Sequence, residues 1–263
     1  MWAPVYFRPP TPRIAVLSRR TGPARSPRST RPCEPRAARC WDTGAVNQHY
    51  FSEAPAGDLR PREIEVELAG ETRTVVTAGG VFSPEHLDRG TEVLLRSLHR
   101  AGVGDEAPAG AILDLGCGWG PIALDAALGA REREVWAVDV NERSRALTAQ
   151  NATRLGLADR VHVAAPDAVP AELLFAEIRS NPPIRVGKEI LHAILSQWLP
   201  RLAPGGIASL VVAKHLGADS LQRWIAAEFP FLEVERADRS KGFHVIRAVR
   251  RADEPDGPAR RGY

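Results

Sequence analysis

The sequence predicts a doubly wound α/β fold, in which helices cover both faces of a mostly parallel sheet of about seven strands, with a short β-hairpin as an N-terminal extension. Three observations predict it. From residue 111 onward, short apolar stretches alternate with helical stretches of roughly 10–15 residues, as in parallel strands joined by right-handed crossovers. A glycine-rich turn follows the first of these strands and leads into a helix. The last two strands are joined by a short loop, so they should pair antiparallel.

The individual elements follow from residue periodicity and from turn residues. The hairpin should comprise Glu63–Leu68 and Thr72–Thr77, separated by Gly70-Glu71, and a helix over about 89–101 should end near Gly102. The strands of the sheet are predicted at 111–115, 134–138, 160–164, 177–180, 207–213, 231–236 and 243–249. The remaining helices are predicted at 121–130, 142–155, 188–202 and 217–228.

The net positive charge of the chain lies in its first 45 residues. The 263 residues include 35 Lys and Arg against 32 Asp and Glu. Residues 1–45 hold nine of the arginines and only two acids, which leaves 26 basic and 30 acidic residues in the remainder. Eight prolines and no apolar periodicity predict a disordered arm over 1–45, much of which we expect to be an untranslated, mis-called start. Residues 46–251 should form one domain, and 252–263 a flexible tail.

Composition excludes several classes of protein. No apolar run approaches the roughly 20 residues of a membrane helix, and the N-terminus lacks the apolar core of a signal peptide. Three cysteines do not make a disulfide framework, so we expect a cytoplasmic protein with no membrane partner. Cys33 and Cys40 have only His49 nearby, which is too few ligands for zinc, so we expect no metal site.

The first candidate site is the turn after the first strand of the sheet. Gly116, Gly118 and Gly120 stand at alternate positions, where they allow a tight turn and a close approach of a ligand to the backbone. Asp139 comes 21 residues after Gly118, at the end of the next strand, where a carboxylate can accept hydrogen bonds from both hydroxyls of a ribose. A dinucleotide site would need a third glycine where Pro121 stands. The spacing therefore favours a different nucleoside cofactor.

The second candidate site follows the fourth strand, at the same edge of the sheet as the glycine loop. It consists of Asn181, Pro182, Pro183 and Ile184. The two prolines stiffen the backbone and lack N–H donors, so carbonyl groups are left to face a ligand, and the Asn181 side chain adds another acceptor. This set of acceptors suits the two hydrogens of a planar –NH2 group, whose nitrogen lone pair can then be aligned with a methyl donor.

Both sites resemble those of known methyltransferases. The G-x-G-x-G spacing, with Asp114 two residues before the first glycine, resembles the motif of class I S-adenosylmethionine (SAM) methyltransferases, which have a Rossmann-like fold. The Asn-Pro-Pro run at Asn181 resembles the Asn-Pro-Pro-aromatic signature of enzymes that methylate adenine N6, guanine N2 or glutamine amides.

Short sequence words outside these two motifs narrow the resemblance. Five such motifs follow one another along residues 48–250: HYFS from His49, GVFS from Gly80, D-x-G-T from Asp88, GADS from Gly217 and KGF from Lys241. Their succession is similar to that of the small-subunit ribosomal RNA guanine-N2 methyltransferases of the RsmC type, particularly the short members with a single small methyltransferase domain.

The resemblance implies an activity and a role for each matching residue. The activity would be methyl transfer from SAM to the exocyclic N2 amine of a guanine in ribosomal RNA, with the RNA or the small ribosomal subunit as partner. Asn181 and the Pro182 carbonyl would hold the amine, in a catalytic set completed by Pro183 and Ile184. The residues that would bind SAM are Asp114, Gly116, Gly118, Gly120, Asp139 and Asp167, with Phe82 and Ser83 closing over it.

The sequence departs from the family pattern at two positions. Ile184 stands where these enzymes carry Tyr or Phe, whose ring stacks on the target base, so stacking should come from elsewhere, such as Phe243. Glu177 stands where the family often has Asp, and we expect only a structural difference there. Contacts to RNA phosphates are expected from four basic residues near the same edge of the sheet: Arg185, Lys188, Lys214 and Lys241.

Three other functions remain open at this point. One is methylation of another exocyclic amine of a nucleic acid. Methylation of a protein glutamine, as in release-factor methyltransferases, uses the same planar amine, although those enzymes favour Asn-Pro-Pro-Tyr and a helical N-terminal part. A non-catalytic RNA-binding or assembly factor with this fold is disfavoured, because both the glycine loop and the Asn-Pro-Pro run are intact.

Overall fold

The structure is a computed structural model that describes residues 60–102 and 107–252. The predicted arm at 1–45, with Cys33 and Cys40, lies outside these residues. All of the predicted tail beyond residue 252 lies outside them too.

The predicted N-terminal hairpin is present. It consists of β1 (Arg62–Leu68) and β2 (Glu71–Thr77), which pair antiparallel. Its turn is Ala69-Gly70, both with positive φ (49° and 78°), as a two-residue hairpin turn requires. The Ala69 N–H donates to Asp125 Oδ1 at 2.8 Å, and Asn151 exchanges hydrogen bonds with both backbone groups of Val76 at 2.7 and 2.8 Å. Two buried polar side chains of the sheet domain therefore hold the hairpin in register.

The main sheet has seven strands in the order β5-β4-β3-β6-β7-β9-β8. The strands are β3 (Ala111–Leu115), β4 (Val135–Val138), β5 (Val161–Ala164), β6 (Phe175–Ser180), β7 (Leu202–Ala213), β8 (Leu232–Ser240) and β9 (Phe243–Arg250). The helices are α1 (Arg89–Ala101), α2 (Pro121–Gly129), α3 (Glu142–Arg154), α4 (Lys188–Trp198) and α5 (Ala218–Glu228). Strands β3 to β7 pair parallel, and β9 pairs antiparallel with both β7 and β8. The predicted fold class is confirmed.

Two strand boundaries differ clearly from the prediction. The strand predicted at 231–236 continues to Ser240, and the other difference is at the start of β7. The helix predicted over 188–202 ends at Trp198, and β7 begins at Leu202, earlier than the predicted 207. Leu202 pairs with Phe175 of β6, and the register shifts before the regular pairing resumes at Ile207. A Cβ at Gly206 would lie 3.0 Å from the Phe175 carbonyl oxygen, so only glycine allows this close approach of two backbones. The Pro-Gly-Gly sequence that looks like a loop is therefore an irregular part of the strand.

Alternating side chains of the strands form two apolar layers, one on each face of the sheet. Ile112 of β3 belongs to the layer that includes α1, α2, α3 and the hairpin. Leu113, the next residue, belongs to the layer that includes α4 and α5. Because successive residues of a strand point to opposite faces, this division shows that the sheet is covered on both sides.

Among the described residues, no helix is both long and apolar enough to cross a membrane.

Candidate active site

The carboxyl ends of β3 and β6 bring the two predicted motifs together. These strands are neighbours and pair parallel, so the residues that follow them lie at the same edge of the sheet. The Ser180 hydroxyl donates to the Leu115 carbonyl oxygen at 2.6 Å. These are the residues directly before Asn181 and Gly116, so the glycine loop and the Asn-Pro-Pro segment begin side by side.

The three positions of the loop require glycine for two different structural reasons. Gly116 and Gly118 have positive φ values of 81° and 59°, and a Cβ on either would meet no atom within 4 Å. Their backbone therefore faces open space that a ligand could fill. Gly120 also has a positive φ, of 97°, but a Cβ there would lie 2.9 Å from Thr148 Cγ2. Its lack of a side chain is thus explained by packing against α3, and its predicted cofactor contact stays a prediction.

Asp139 connects the tip of β4 to the glycine loop. Its Oδ2 accepts from the Gly118 N–H at 2.9 Å, and its Oδ1 accepts from the Asn141 N–H at 2.8 Å. Burial raises the pKa of Asp139, although the same backbone N–H groups act in the opposite direction. A carboxylate has about four acceptor sites, so capacity remains for ribose hydroxyls on this side chain.

Asp114 is fully buried, and only one of its two carboxylate oxygens has a hydrogen-bond partner among the described residues. Its Oδ2 accepts from the Ala123 N–H at 2.9 Å, whereas Oδ1 is buried and has no hydrogen-bond partner within the described residues. The pKa of Asp114 is raised to about 8, mainly by burial and also by the nearby charge of Asp139, against the opposing effects of the Ala123 N–H and the charge of Arg179. An unpaired buried carboxylate oxygen fits a cationic ligand group, such as the ammonium of an amino acid.

Glu177 is the other buried carboxylate of this region, and its surroundings are different. It forms ion pairs with Arg133 and with Arg179, whose Nε and Nη2 donate to Glu177 Oε2 at 2.9 and 2.6 Å. All its charge is thus balanced by the protein itself, which agrees with the expectation of a structural role.

Asn181 is held by the N-terminus of α1. Its Nδ2 donates to Asp88 Oδ2 at 2.8 Å and to Thr91 Oγ1 at 3.1 Å. Asp88 is also the N-cap of α1, since the same oxygen accepts from the N–H groups of Gly90 and Thr91 at 2.7 and 3.1 Å. These contacts fix the Asn181 amide before any substrate arrives.

The two prolines form a tight turn after Asn181. The Ile184 N–H donates to the Pro182 carbonyl oxygen at 2.8 Å, and Pro183 between them has φ −74° and ψ 75°, the geometry of an inverse γ-turn. A carbonyl oxygen has two lone pairs, so Pro182 keeps one for a ligand. Ile184 is half-buried and packs against the apolar layer that includes α4.

Phe243 lies beside the Asn181 anchor. A Cβ on Gly90 would lie 3.0 Å from Phe243 Cε1 and 2.9 Å from Asp88 Oδ2, so the ring packs closely on the first turn of α1. An aromatic ring therefore adjoins this part of the site, although its stacking on a base stays a prediction.

The segment before α1 is tied to the glycine loop. The Trp119 indole N–H donates to the Ser83 carbonyl oxygen at 3.2 Å, and Asn141 Nδ2 donates to the Gly80 carbonyl oxygen at 3.2 Å. Ser83 itself has a positive φ of 47°, and its hydroxyl donates to the His86 carbonyl oxygen at 2.7 Å. The side chain of Phe82 is 46% exposed. The segment therefore lies against the glycine loop, and its closing over a cofactor stays a prediction.

The remaining predicted residues surround this edge of the sheet. Asp167 is exposed in a single helical turn directly after β5. Lys188 is exposed at the start of α4, and Lys214 is exposed directly after β7. Lys241 Nζ lies 3.1 Å from both carboxylate oxygens of Glu92, which also pairs with Arg96 at 2.6 Å, so the Lys241 charge is partly offset. The side chain of Arg185 lies outside what the structure describes.

Cys117 is the cysteine that the described residues contain, and it is a packing residue. It is buried, and burial raises the pKa of its thiol well above the ordinary value, which is unfavourable for a nucleophile. In the ranges 60–102 and 107–252, no group of three or more His, Cys, Asp or Glu could hold a metal ion.

Sequence reasoning missed the roles of Asp88, Thr91 and Trp119. The pattern Asp88-x-Gly-Thr contributed only to the resemblance, although Asp before a helical stretch is also an N-cap signal. Its contact with Asn181, 93 residues away in the chain, leaves no local signal in the sequence.

Comparison with known proteins agrees with this geometry. The family model described as the methyltransferase small domain matches residues 72–247. The uncharacterised protein YbxB of Bacillus subtilis strain 168 is 34% identical over 206 residues, which cover 77% of this chain and 98% of that protein. Ribosomal RNA small subunit methyltransferase C of Stutzerimonas stutzeri is 30% identical over 210 residues, covering 75% of this chain and 57% of that protein.

A solved structure has the same fold. It is the 16S rRNA N2 G1207 methyltransferase RsmC of T. thermophilus, in complex with AdoMet and guanosine, with a TM-score of 0.63 and 24% identity. The match covers 75% of this chain and 52% of that one, so the chain spans little more than half the length of the RsmC proteins. The resemblance to RsmC-type proteins is confirmed, and the chain belongs to the methyltransferase small domain family.

Proposed function

We propose that this protein is a SAM-dependent N-methyltransferase that modifies the exocyclic N2 amine of a guanine in small-subunit ribosomal RNA. The observation that carries the proposal is the position of Asn181 and Pro182 directly beside the glycine loop, with the Ser180–Leu115 hydrogen bond joining the two strand ends. A methyl acceptor held by the first segment would lie next to a methyl donor held by the second.

The donor is S-adenosyl-L-methionine. The open backbone at Gly116 and Gly118 gives the ligand access to the loop, Asp139 offers acceptors for ribose hydroxyls, and the unpaired Oδ1 of Asp114 offers a partner for an ammonium group. When bound, the sulfonium supplies an electrophilic methyl group. The AdoMet found with the T. thermophilus relative supports this assignment.

The protein contributes mainly by orienting the acceptor amine. The Asn181 Oδ1 and the free lone pair of the Pro182 carbonyl each accept one hydrogen of the –NH2 group. Holding both hydrogens aligns the nitrogen lone pair with the methyl group, and alignment of this kind lowers the barrier without a general base. The proton of the product amine is lost to water.

Support for an RNA substrate comes from the relatives and from the rim of the site. Several curated relatives, such as the Stutzerimonas stutzeri protein, are ribosomal RNA small subunit methyltransferases, and the solved relative is in complex with guanosine. Lys188 and Lys214 are exposed around the edge that holds Asn181, where phosphates could bind. The cytoplasmic location stays a prediction.

The test is transfer of a tritiated methyl group from SAM to four acceptors in parallel: naked 16S rRNA, 30S particles, tRNA and release factor. We expect label in rRNA or in 30S particles, recovered as N2-methylguanosine after digestion to nucleosides, and no transfer by Asn181→Ala. Label found only in release factor would replace this proposal with glutamine methylation. SAM binding without transfer to any acceptor would favour a non-catalytic factor.

A further inference from the structure

The side-chain amide of Asn181 has a fixed orientation because two hydrogen-bond acceptors lie on one side of it. Asp88 Oδ2 and Thr91 Oγ1 both lie within hydrogen-bond distance of the same amide atom, at 2.8 and 3.1 Å. A carboxylate can only accept hydrogen bonds, so the amide atom facing Asp88 must be the nitrogen. The chemistry of Asp88 thus assigns the two ends of the Asn181 amide.

The nitrogen of this amide has no hydrogen left to donate elsewhere. An Asn amide carries two N–H donors, and the two acceptors on α1 can take one each. The planar amide therefore directs its oxygen to the opposite side, away from α1. If the amide rotated by half a turn, its oxygen would face the Asp88 carboxylate, and two acceptors in contact repel each other.

The anchor itself is rigid. Thr91 is buried, and Asp88 is held by the N–H groups of Gly90 and Thr91 at the first turn of α1. The Phe243 ring closes over Gly90, where even a Cβ would be too near. A side chain that must present one atom to a substrate gains precision from such a support.

We propose that Asp88 and Thr91 are positioning residues that lock the Asn181 amide with its oxygen facing the substrate, so that the site selects a hydrogen-bond donor such as –NH2 over an acceptor such as a carbonyl. This inference rests on the proposed function for the identity of the amine. The locked orientation itself exists in the substrate-free protein and can be tested without any substrate.

The matched pair Thr91→Val and Thr91→Ser isolates the hydroxyl. Valine keeps the buried volume but removes the acceptor, whereas serine keeps the acceptor and loses one methyl group. We expect Thr91→Val to lower kcat about tenfold, the equivalent of one hydrogen bond, with the Kd for SAM unchanged. Thr91→Ser should retain most of kcat. Equal losses in the two variants, or a change confined to KM, would overturn the proposal.

A second measurement needs no methyl acceptor. In 15N-labelled enzyme, the two side-chain amide protons of Asn181 are assigned by their disappearance in Asn181→Ala. We expect both to exchange slowly with water in the wild type and in Thr91→Ser, and at least about tenfold faster in Thr91→Val. Unchanged exchange in Thr91→Val would refute the lock. If the amide protons are protected but the protein methylates no RNA, the proposed function is refuted, whereas the locked orientation of the Asn181 amide is supported.

Discussion

The two halves of the cleft are built in different ways. The centre of the cofactor half comes from one continuous stretch, Asp114–Asn141, in which Asp114 is hydrogen-bonded to Ala123 and Asp139 to Gly118. The predicted contacts of Phe82, Ser83 and Asp167 lie outside this stretch. The amine half is assembled from segments that are distant in the chain, since Asn181 is held by Asp88 and Thr91, which precede it by 93 and 90 residues. The first half is therefore a local motif, while the second exists only in the folded protein.

The two halves also differ in how their charge is balanced. Asp114 has an oxygen without a hydrogen-bond partner among the described residues, and its raised pKa keeps it protonated up to about pH 8, so its ionised form needs a cation that the protein does not supply. Asp88 Oδ2, by contrast, accepts hydrogen bonds from three N–H donors of the protein itself. The cofactor half is thus incomplete without its ligand, and the amine half is complete in advance. Substitutions should separate these two behaviours.

The largest effect is expected from Asn181→Ala in the amine half. The variant removes an acceptor that the transition state requires, so kcat should fall about 10³-fold. The Kd for SAM should stay within about twofold of the wild type, because Asn181 is assigned to the amine and not to the cofactor. Single-turnover kinetics and calorimetric SAM titration measure the two quantities. A large loss of SAM affinity would mean that the two halves are not separate.

In the cofactor half, Asp139→Ala should have the opposite signature. It removes the acceptors for the ribose and the bond that holds Gly118, so we expect the Kd for SAM to rise about 100-fold. At saturating SAM, kcat should largely recover. Asp167→Asn, at an exposed position after β5, is the comparison variant for the predicted adenine contact and should change the Kd by less than about tenfold. Failure of kcat to recover would contradict the division of roles.

Asp114→Asn should change how stability depends on pH. Folded Asp114 keeps its proton up to about pH 8, whereas the unfolded chain loses it near pH 4, so the native state binds more protons between these values. The free energy of unfolding of the wild type should therefore fall as pH rises through this window, by at most ~1.4 kcal/mol per pH unit from this group. Above the folded pKa the contribution becomes constant.

The measurement is urea unfolding of the SAM-free wild type and Asp114→Asn at pH 5, 6, 7 and 8. The difference in stability between variant and wild type should grow in favour of the variant with rising pH. A difference that does not change with pH would show that Asp114 is ionised in the folded protein, and that the cofactor half is less incomplete than its geometry indicates.

The smallest effect is expected at the rim. Lys214→Ala should raise the KM for RNA a few-fold and reduce the slope of log affinity against log salt by about one, with kcat unchanged. Arg154→Ala is the control, because Arg154 ends α3 at the opposite edge of the sheet and pairs with Glu63. Lys241→Ala should change the KM for RNA and the salt slope less than Lys214→Ala does, since Glu92 partly offsets the Lys241 charge. If Lys214→Ala, Lys241→Ala and Arg154→Ala have equal salt slopes, the lysines of the rim do not contact RNA phosphates.

Most of the fold was predictable because its signals are local. Alternation of strand and helix, the Gly102 cap and the short connection before β9 are read from neighbouring residues, and the structure confirms them. The main exception is the start of β7. Its Pro-Gly-Gly sequence favours a loop, and only pairing of Leu202 with Phe175 makes it part of a strand.

The sequence by itself determined the fold class, the glycine loop with its paired acid, and the Asn-Pro-Pro segment, because each depends on residues close together in the chain. The tertiary structure decided which way the Asn181 amide faces and which buried carboxylate remains unpaired. Asp114 and Glu177 both lie in apolar strands, yet only Glu177 is neutralised, by Arg179 two residues along β6 and by Arg133 from the loop before β4. Orientation and charge balance depend on contacts across the fold, and such contacts leave no periodic pattern in the chain.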